Sequence, residues 1–155
     1  NIIPEKGVAL DVARRLRAYL ANAGLRTVMT RSSDVFVTLD RRVGIANAQR
    51  RAIFLSVHVN SARRAGANWN VTFYGSARSK DLARVIQRNA MKTTSGENRG
   101  IKRAKYYVLR NSRIPAVLIE CGFLTNRQDA RRASSSEYRD RLARQIAKAI
   151  IEYRR

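Results

Sequence analysis

The sequence predicts a single α/β domain, a sandwich in which helices flank a central sheet that is mostly parallel, with mixed strand directions. Segments with helical spacing alternate along the chain with short segments of strand length, and such alternation is typical of α/β folds. Two of the strand segments are apolar nearly throughout, which indicates a sheet covered on both faces. No composition shift marks a linker in the 155 residues, so we assign residues 1–155 to one domain.

The first third of the chain predicts a helix, a strand and a second helix. Apolar residues recur at every fourth position from Val8 to Leu20, and Gly24 follows as a helix stop. The segment Leu25–Arg31 has the length and composition of a short strand. Thr38 is placed to cap the second helix, because a threonine hydroxyl accepts hydrogen bonds from the N–H groups of a first helical turn.

The rest of the chain continues the alternation. We predict strands over Ala52–Val59, Asn70–Gly75, Lys105–Arg110 and Ala116–Cys121, a helix over Lys80–Met91 and a polar loop over Thr93–Gly100. A last helix follows, with Ser134 and Glu137 at the spacing of a capping box. The order opens on a helix, whereas a βα unit opens on its strand, so the pattern indicates a further strand ahead of Asn1.

The charge of the chain is extreme. It carries 32 lysines and arginines against 11 aspartates and glutamates, for a net charge of +21. Such a charge attracts polyanions, whether nucleic acid, an anionic membrane surface or an acidic cell-wall polymer. The cations are scattered over nearly every segment, so an arginine-rich solvated surface accounts for them as well as a selected binding site does. No apolar run approaches the roughly 20 residues of a transmembrane helix, and we expect no membrane span.

Two polar residues interrupt the apolar strands at matching positions. His58 lies near the end of AIFLSVHV, and Glu120 lies near the end of AVLIEC. Sites in open α/β sheets lie at the carboxyl ends of the strands, and a buried carboxylate needs a cation, a metal or a hydrogen-bond donor beside it. Each residue alone also fits a structural role, but together they favour a functional site. The chain has one cysteine, Cys121, which excludes an internal disulfide.

Five segments of the sequence resemble one family. They are PEKGVALDVARRL (Pro4–Leu16), TRSSDVFVTLDRRVGIAN (Thr30–Asn47), FLSVHVNS (Phe54–Ser61), NRGIKRAKYYVLRNSRIPAVLIE (Asn98–Glu120) and PAVLIECGFLTN (Pro115–Asn126). Taken in order, they are similar to the zinc-dependent N-acetylmuramoyl-L-alanine amidases found among bacterial cell-wall hydrolases. The resemblance implies hydrolysis of the amide bond between N-acetylmuramic acid and L-alanine in peptidoglycan, with zinc as the cofactor.

The resemblance also implies roles for individual residues. Glu5 and His58 would be zinc ligands, and Glu120 would be the catalytic carboxylate that takes a proton from water and returns one to the leaving amine. Zinc would polarise the amide carbonyl and lower the pKa of a bound water. The residues expected to hold the muramoyl or stem-peptide groups are Asn60, Arg99 and Asn111. Without the resemblance, these last three would be ordinary turn or surface residues.

One ligand of the family is missing from these residues. The family's first zinc ligand is a histidine in a D-P-G-H-G turn after the first strand, and the chain contains no histidine besides His58. Cys121 is a poor substitute, because it neighbours Glu120 and should point to the opposite face of the strand. Two explanations stay open: a first strand with its histidine precedes Asn1, or the chain is an inactive relative. Glu5 and Glu120 favour the first, since an abandoned metal site would not need them.

We therefore expect a peptidoglycan amidase that acts as a monomer in the periplasm or outside a bacterial cell, with a basic surface that helps hold it on the wall. The first alternative is a non-catalytic peptidoglycan-binding relative with the same fold. The second is a nucleic-acid binder, motivated by the charge of +21, whose binding would weaken steeply with salt. No nucleic-acid-binding motif is visible in the sequence, so we expect no nucleic-acid partner.

Overall fold

The computed structural model describes residues 5–61, 69–94, 96–123 and 135–155. The elements are α1 (Glu5–Asn22), α2 (Leu39–Asn47), β1 (Phe54–Ser61), β2 (Trp69–Tyr74), α3 (Lys80–Ala90), β3 (Glu97–Arg103), α4 (Tyr107–Arg110), β4 (Ala116–Phe123) and α5 (Ser136–Arg154). Within these ranges the strands form one sheet in the order β1-β4-β2-β3. β1 with β4 and β2 with β3 are parallel pairs, and β2 with β4 is antiparallel. The predicted α/β sandwich with a mixed sheet is confirmed.

Helices cover both faces of the sheet. α1, α3 and α5 pack on one face, where Val117, Ile119 and Cys121 of β4 belong to the main core. α2 and α4 pack on the other face, where Leu118 belongs to a smaller core. Because side chains alternate along a strand, Glu120 shares the face of Leu118. None of the helices in the described ranges combines the length and the apolar character needed to cross a membrane.

The segment Leu25–Arg31, predicted as a strand, belongs to no sheet of the described residues. Residues 26–31 form no backbone–backbone hydrogen bond with another described residue. Among the described residues the predicted strand does not form, because a strand is completed only by the ladder it shares with a partner, which a local sequence pattern cannot supply. Gly24, at φ +79°, ends α1 as predicted and turns the chain into this segment.

Two further predictions fail in the second half of the chain. β3 begins inside the predicted loop Thr93–Gly100, and α4 replaces most of the strand predicted over Lys105–Arg110. β3 is an edge strand with mostly exposed residues, so it lacks apolar alternation, and Gly100 at φ +68° accompanies a shift in its register with β2. α4 buries the adjacent Val108 and Leu109. A short apolar run of this kind fits a strand and a helical turn equally well.

The predicted caps are partly correct. Thr38 caps α2, and its hydroxyl accepts a hydrogen bond of 3.2 Å from the backbone N–H of Arg41. The cap of α5 is Ser135 rather than Ser134: the hydroxyl of Ser135 accepts from the backbone N–H of Tyr138 at 3.2 Å. Ser134 itself lies outside the described residues. The spacing rule selects Ser134 because Glu137 follows it by three residues, but the hydroxyl of the next serine can cap the helix without a glutamate partner.

Ion pairs join α1 to α5. Asp11 lies 2.7 Å from Arg139, whose side chain is only 10% exposed, and 2.8 Å from Arg15. The Tyr19 hydroxyl donates a hydrogen bond of 2.8 Å to Asp140, which also pairs with Arg15 at 3.3 Å. We expect the Asp11–Arg139 pair to contribute more to stability than the exposed ion pairs, because removing its carboxylate would take a counter-charge away from a nearly buried positive charge.

Candidate active site

The two polar residues that interrupt the apolar strands lie directly opposite each other. His58 and Glu120 are register partners in the parallel pair of β1 and β4. Register partners project to the same face of a sheet, and both residues are half-buried. β1 and β4 end three residues further on, at Ser61 and Phe123. His58 and Glu120 therefore lie together near the carboxyl ends of their strands, where α/β sheets hold their ligands.

The environment of His58 favours its neutral form. Burial lowers the pKa of His58 below its ordinary value, and the positive charge of Arg42 lowers it further. Arg42 belongs to α2, and its Nε donates a hydrogen bond of 3.0 Å to the carbonyl of Val37. A neutral imidazole offers a nitrogen lone pair at neutral pH, which is what a metal ion or a hydrogen-bond donor requires.

Tyr106 is a site residue that the sequence pattern did not reveal. Its ring meets the ring of Phe73 edge to face, with centroids 5.2 Å apart, and the residue is 43% exposed. Phe73 is the register partner of Leu118, two residues before Glu120, so Tyr106 stands beside the carboxylate. Burial and the negative charge of Glu120 both raise the pKa of Tyr106, and the phenol therefore stays protonated. The predicted strand over KYYVLR gave no reason to single out this residue.

Trp69 and Arg99 form a second group at the same edge of the sheet. The guanidinium carbon of Arg99 lies 5.1 Å from the centroid of the Trp69 ring. Trp69 is the register partner of Glu97, which pairs with Arg99 at 3.5 Å. β2 runs antiparallel to β4, so Trp69 at its start lies level with the carboxyl end of β4. Arg99 thus lies on the strand next to Trp69, near the carboxyl end of β4, and no sequence pattern singled out Trp69.

Glu5 and Asn60 are located only by their elements, at the start of α1 and near the end of β1. Glu5 is the first residue of α1, and the next residue, Lys6, lines the same groove as His58. Asn60 lies two residues beyond His58 in β1, in register with Gly122. The side chains of Glu5 and Asn60 are outside what the structure describes.

Asn111 lies at the other end of β4. Its side chain donates a hydrogen bond of 2.9 Å to the carbonyl of Tyr107, and its own carbonyl accepts from the side chain of Asn47 at 3.0 Å. The side-chain oxygen of Asn47 in turn accepts from the backbone N–H of Arg113 at 2.7 Å. These bonds hold the turn between α4 and the start of β4. The structure therefore does not bring Asn111 together with Glu120.

An open groove of about 1750 Å³ follows the free edge of β1. The segment Leu25–Arg31 forms one side of the groove, and β1 forms the other. α1 and α2 contribute the remaining walls, and the groove extends to His58 and Trp69. β1 has β4 as its one neighbour in the described sheet. The groove thus lies between β1 and the segment Leu25–Arg31, and no ladder hydrogen bonds join these two described segments.

The described residues do not by themselves complete a metal site. Among residues 5–61, 69–94, 96–123 and 135–155, no three His, Cys, Asp or Glu side chains converge in a way that could hold a metal ion. Cys121 is buried in the main core, on the face opposite Glu120, as the alternation of the strand predicts. Burial and the charge of Glu120 raise the pKa of Cys121 to about 12, so its thiol stays protonated and is no substitute ligand.

The sequence profile of the N-acetylmuramoyl-L-alanine amidase family matches residues 1–152. The chain belongs to this amidase family. Among curated relatives, it is 35% identical over 159 residues to the N-acetylmuramoyl-L-alanine amidase LytC of Bacillus subtilis (strain 168), covering 100% of this chain and 32% of LytC. It is 32% identical over 152 residues to the sporulation-specific N-acetylmuramoyl-L-alanine amidase of the same strain, covering 97% and 60% of the two chains. The chain thus spans about a third of LytC and three-fifths of the sporulation amidase.

Solved structures of amidases share the fold. The chain superposes on the amidase AmiC2 of Nostoc punctiforme with a TM-score of 0.88 and 36% identity, covering 96% of this chain and 83% of that one. It superposes on the catalytic domain of the amidase CwlV from Bacillus (Paenibacillus) polymyxa var. colistinus with a TM-score of 0.89 and 33% identity, covering 96% and 84%. The described sheet and helices are therefore those of an amidase catalytic domain.

Proposed function

We propose that this chain is the catalytic part of a zinc-dependent amidase that hydrolyses the bond between N-acetylmuramic acid and L-alanine in peptidoglycan. The observation that carries the proposal is the register pairing of His58 with Glu120 at the carboxyl ends of β1 and β4. Membership of the amidase family supports the same reaction. The relatives whose names state this activity are longer than the chain, so the activity of the whole protein is part of the proposal.

Glu120 carries the proton transfers in this mechanism. Its carboxylate takes a proton from the attacking water as the water oxygen bonds to the amide carbon, and it then delivers a proton to the nitrogen of L-alanine as the carbon–nitrogen bond breaks. Tyr106 remains protonated near Glu120, and we propose that its hydroxyl donates a hydrogen bond to the carboxylate or to the substrate during the reaction. Burial on the sheet face limits the access of water and strengthens these interactions.

His58 fits a zinc ligand, because its neutral form offers a lone pair. The family resemblance assigns Glu5, the first residue of α1, as a further ligand. A catalytic zinc takes three protein ligands, so a third must come from outside the described residues. When bound, zinc would polarise the amide carbonyl and activate water for attack.

We further propose that a β-strand ahead of Asn1 fills the groove beside β1 and carries the third ligand, a histidine. Such a strand would pair with the free edge of β1 and with Leu25–Arg31, satisfying backbone groups on both sides. A chain extended upstream should bind one zinc and protect the amides of residues 26–31 from hydrogen exchange. If the amides of residues 26–31 exchange equally fast and the zinc content is equal in the extended chain and in Asn1–Arg155, the proposed upstream strand is refuted.

The proposed site of action is the bacterial cell wall, in the periplasm or outside the cell, with the protein acting as a monomer. The net charge of +21 suits a substrate whose stem peptides carry carboxylates. Sedimentation on intact peptidoglycan should therefore weaken as salt rises, because the charges are screened. Binding that is independent of salt would count against a role for the basic surface.

The experiment that tests the function is digestion of purified peptidoglycan by the upstream-extended chain with zinc, followed by mass spectrometry. The proposal predicts free stem peptides with a new L-alanine amino group, and glycan strands whose lactyl carboxyl groups are free. A chelator should stop the release, and added zinc should restore it. Binding to the wall without release of stem peptides would instead identify a non-catalytic relative.

A further inference from the structure

We propose that Trp69 and Arg99 form a subsite for the first carboxylate of the peptidoglycan stem peptide. This carboxylate is the α-carboxylate of the second stem residue, a D-glutamate linked onward through its γ-carboxyl group. The inference rests on the proposed amidase function, which supplies the substrate. It adds to that function a recognition element, since neither His58 nor Glu120 distinguishes one stem peptide from another.

The register of the sheet places the subsite at a suitable distance from the scissile bond. Val71 is opposite Glu120, so Trp69 lies one strand over and two residues nearer the carboxyl edge of β4. With about 5 Å between strands and about 7 Å for two residues, the two Cα atoms are roughly 9 Å apart. An extended peptide advances about 3.5 Å per residue. A stem peptide with its first amide at Glu120 therefore brings its second residue to Trp69.

Hydrogen bonds fix the position of the two residues that flank Arg99, Asn98 and Gly100. Gln87, only 4% exposed on α3, donates a hydrogen bond of 2.9 Å to the side-chain oxygen of Asn98. The same oxygen accepts from the backbone N–H of Gly100 at 2.8 Å. A buried side chain thus fixes the residues that flank Arg99, and the guanidinium lies over the indole ring of Trp69. A stacked, planar guanidinium presents its N–H groups to a carboxylate with little further loss of freedom.

The carboxylate that now contacts Arg99 is replaceable. Glu97 lies 3.5 Å from Nε of Arg99, and the side chains of Glu97 and Arg99 are 64% and 41% exposed. Ion pairs this exposed contribute little to stability. A stem carboxylate can therefore displace Glu97, or bind the other N–H groups of the guanidinium, which form a bidentate fork.

Trp69 is the only tryptophan in the chain, so its emission reports on the subsite directly. The experiment titrates the protein with the tripeptide L-Ala-γ-D-Glu-L-Lys and with the same tripeptide amidated at the D-glutamate α-carboxylate. Emission and heat of binding are both recorded. We expect Trp69 emission to change on binding and the amidated tripeptide to bind about tenfold more weakly, because a charge-assisted hydrogen bond is lost.

Variants assign the effect to individual residues. Arg99→Gln should lower the affinity for the carboxylate tripeptide to that of the amidated tripeptide, and it should leave the affinity for the amidated tripeptide unchanged. Arg99→Lys should bind the carboxylate tripeptide with an affinity between those of the unaltered protein and Arg99→Gln, since lysine keeps the charge but lacks the bidentate guanidinium. Glu97→Gln should tighten binding of the carboxylate tripeptide by removing its competitor. Arg103→Gln, at the far end of the same strand, is the matched control and should bind as the unaltered chain does.

The subsite is overturned if Arg99→Gln binds both tripeptides as the unaltered protein does, if neither tripeptide binds, or if heat of binding appears without a change in emission. Binding is measured without turnover, so these outcomes are separate from failure of the amidase assay. A protein that prefers the carboxylate tripeptide but releases no stem peptide would refute the proposed hydrolysis and support the subsite.

Discussion

His58 and Glu120 are partners in the register of two parallel strands, near the carboxyl end of each. This pairing fixes the relative position of an imidazole and a carboxylate through backbone hydrogen bonds rather than through mobile loops. Sites built on strands are positioned more accurately than sites built on loops. The site therefore depends on the register between β1 and β4, and a slip of one residue would send one side chain to the opposite face.

The depressed pKa of His58 predicts a pH dependence of stability. The folded chain disfavours protonation of His58, so the stability from its neutral form is complete above a pH of about 6.5 and is lost as the pH falls through the lower, folded pKa. In the presence of a chelator, the melting temperature of the His58→Gln variant should fall less than that of the unaltered chain as the pH is lowered through this range. The chain has no other histidine, which isolates the effect. Parallel melting curves at every pH would contradict the prediction.

The hydroxyl of Tyr106 is expected to support the chemistry of Glu120. Tyr106→Phe keeps the ring on Phe73 but removes the phenol, so kcat/KM should fall by about threefold to tenfold, the loss of one hydrogen bond. The acid limb of the pH profile should move to higher pH, because the carboxylate loses a stabilising donor. Its matched control is Tyr107→Phe, which removes a hydrogen bond of 3.1 Å to Asp40. That control should leave the pH profile in place, and an equal shift in both variants would refute a role for Tyr106.

Asn111 should matter for stability rather than for the substrate. Asn111→Ala removes the hydrogen bond to the carbonyl of Tyr107 and should lower the free energy of unfolding by about 1 kcal/mol. KM and kcat should remain unchanged, since the turn lies at the end of β4 away from Glu120. Steady-state kinetics and denaturant unfolding check both parts. A raised KM with unchanged stability would restore the substrate-binding role predicted from the sequence.

The Asp11–Arg139 pair should be the ion pair that matters for folding. Asp11→Ala leaves the guanidinium of Arg139, 10% exposed, without this carboxylate and should cost roughly 3 kcal/mol. Asp81→Ala is the control, because the Asp81–Arg84 pair has side chains 81% and 56% exposed and is worth at most about 0.5 kcal/mol. Urea unfolding compares the two variants. Equal losses would show that burial does not distinguish these pairs.

The features of the fold that depend on residues close together in the chain could be predicted from the sequence. His58 and Glu120 can be singled out from the sequence because burying a polar side chain in an apolar strand costs free energy unless it has a partner. Their matching positions in the two strand segments agree with the observed register. Gly24 and Thr38 were found because helix ends use specific backbone and side-chain chemistry.

The parts that sequence reasoning missed depend on contacts between distant segments. Leu25–Arg31 has the composition of a strand but no partner among the described residues. The edge strand β3 is polar because much of it faces solvent. Trp69 and Tyr106 join the site only through the antiparallel pairing of β2 with β4 and the edge-to-face contact with Phe73. No local pattern specifies either contact.

The role of Glu120 is tested most directly by the rate of stem-peptide release from a defined muropeptide, measured for the upstream-extended chain and for its Glu120→Gln variant with zinc supplied to both. We expect the variant to lose activity by about a hundredfold or more, the usual contribution of a general acid–base group. Its zinc content, unfolding midpoint and tripeptide binding should match those of the unaltered protein. Activity within tenfold of the unaltered protein, at equal zinc content, would contradict the assignment of Glu120 as the proton carrier.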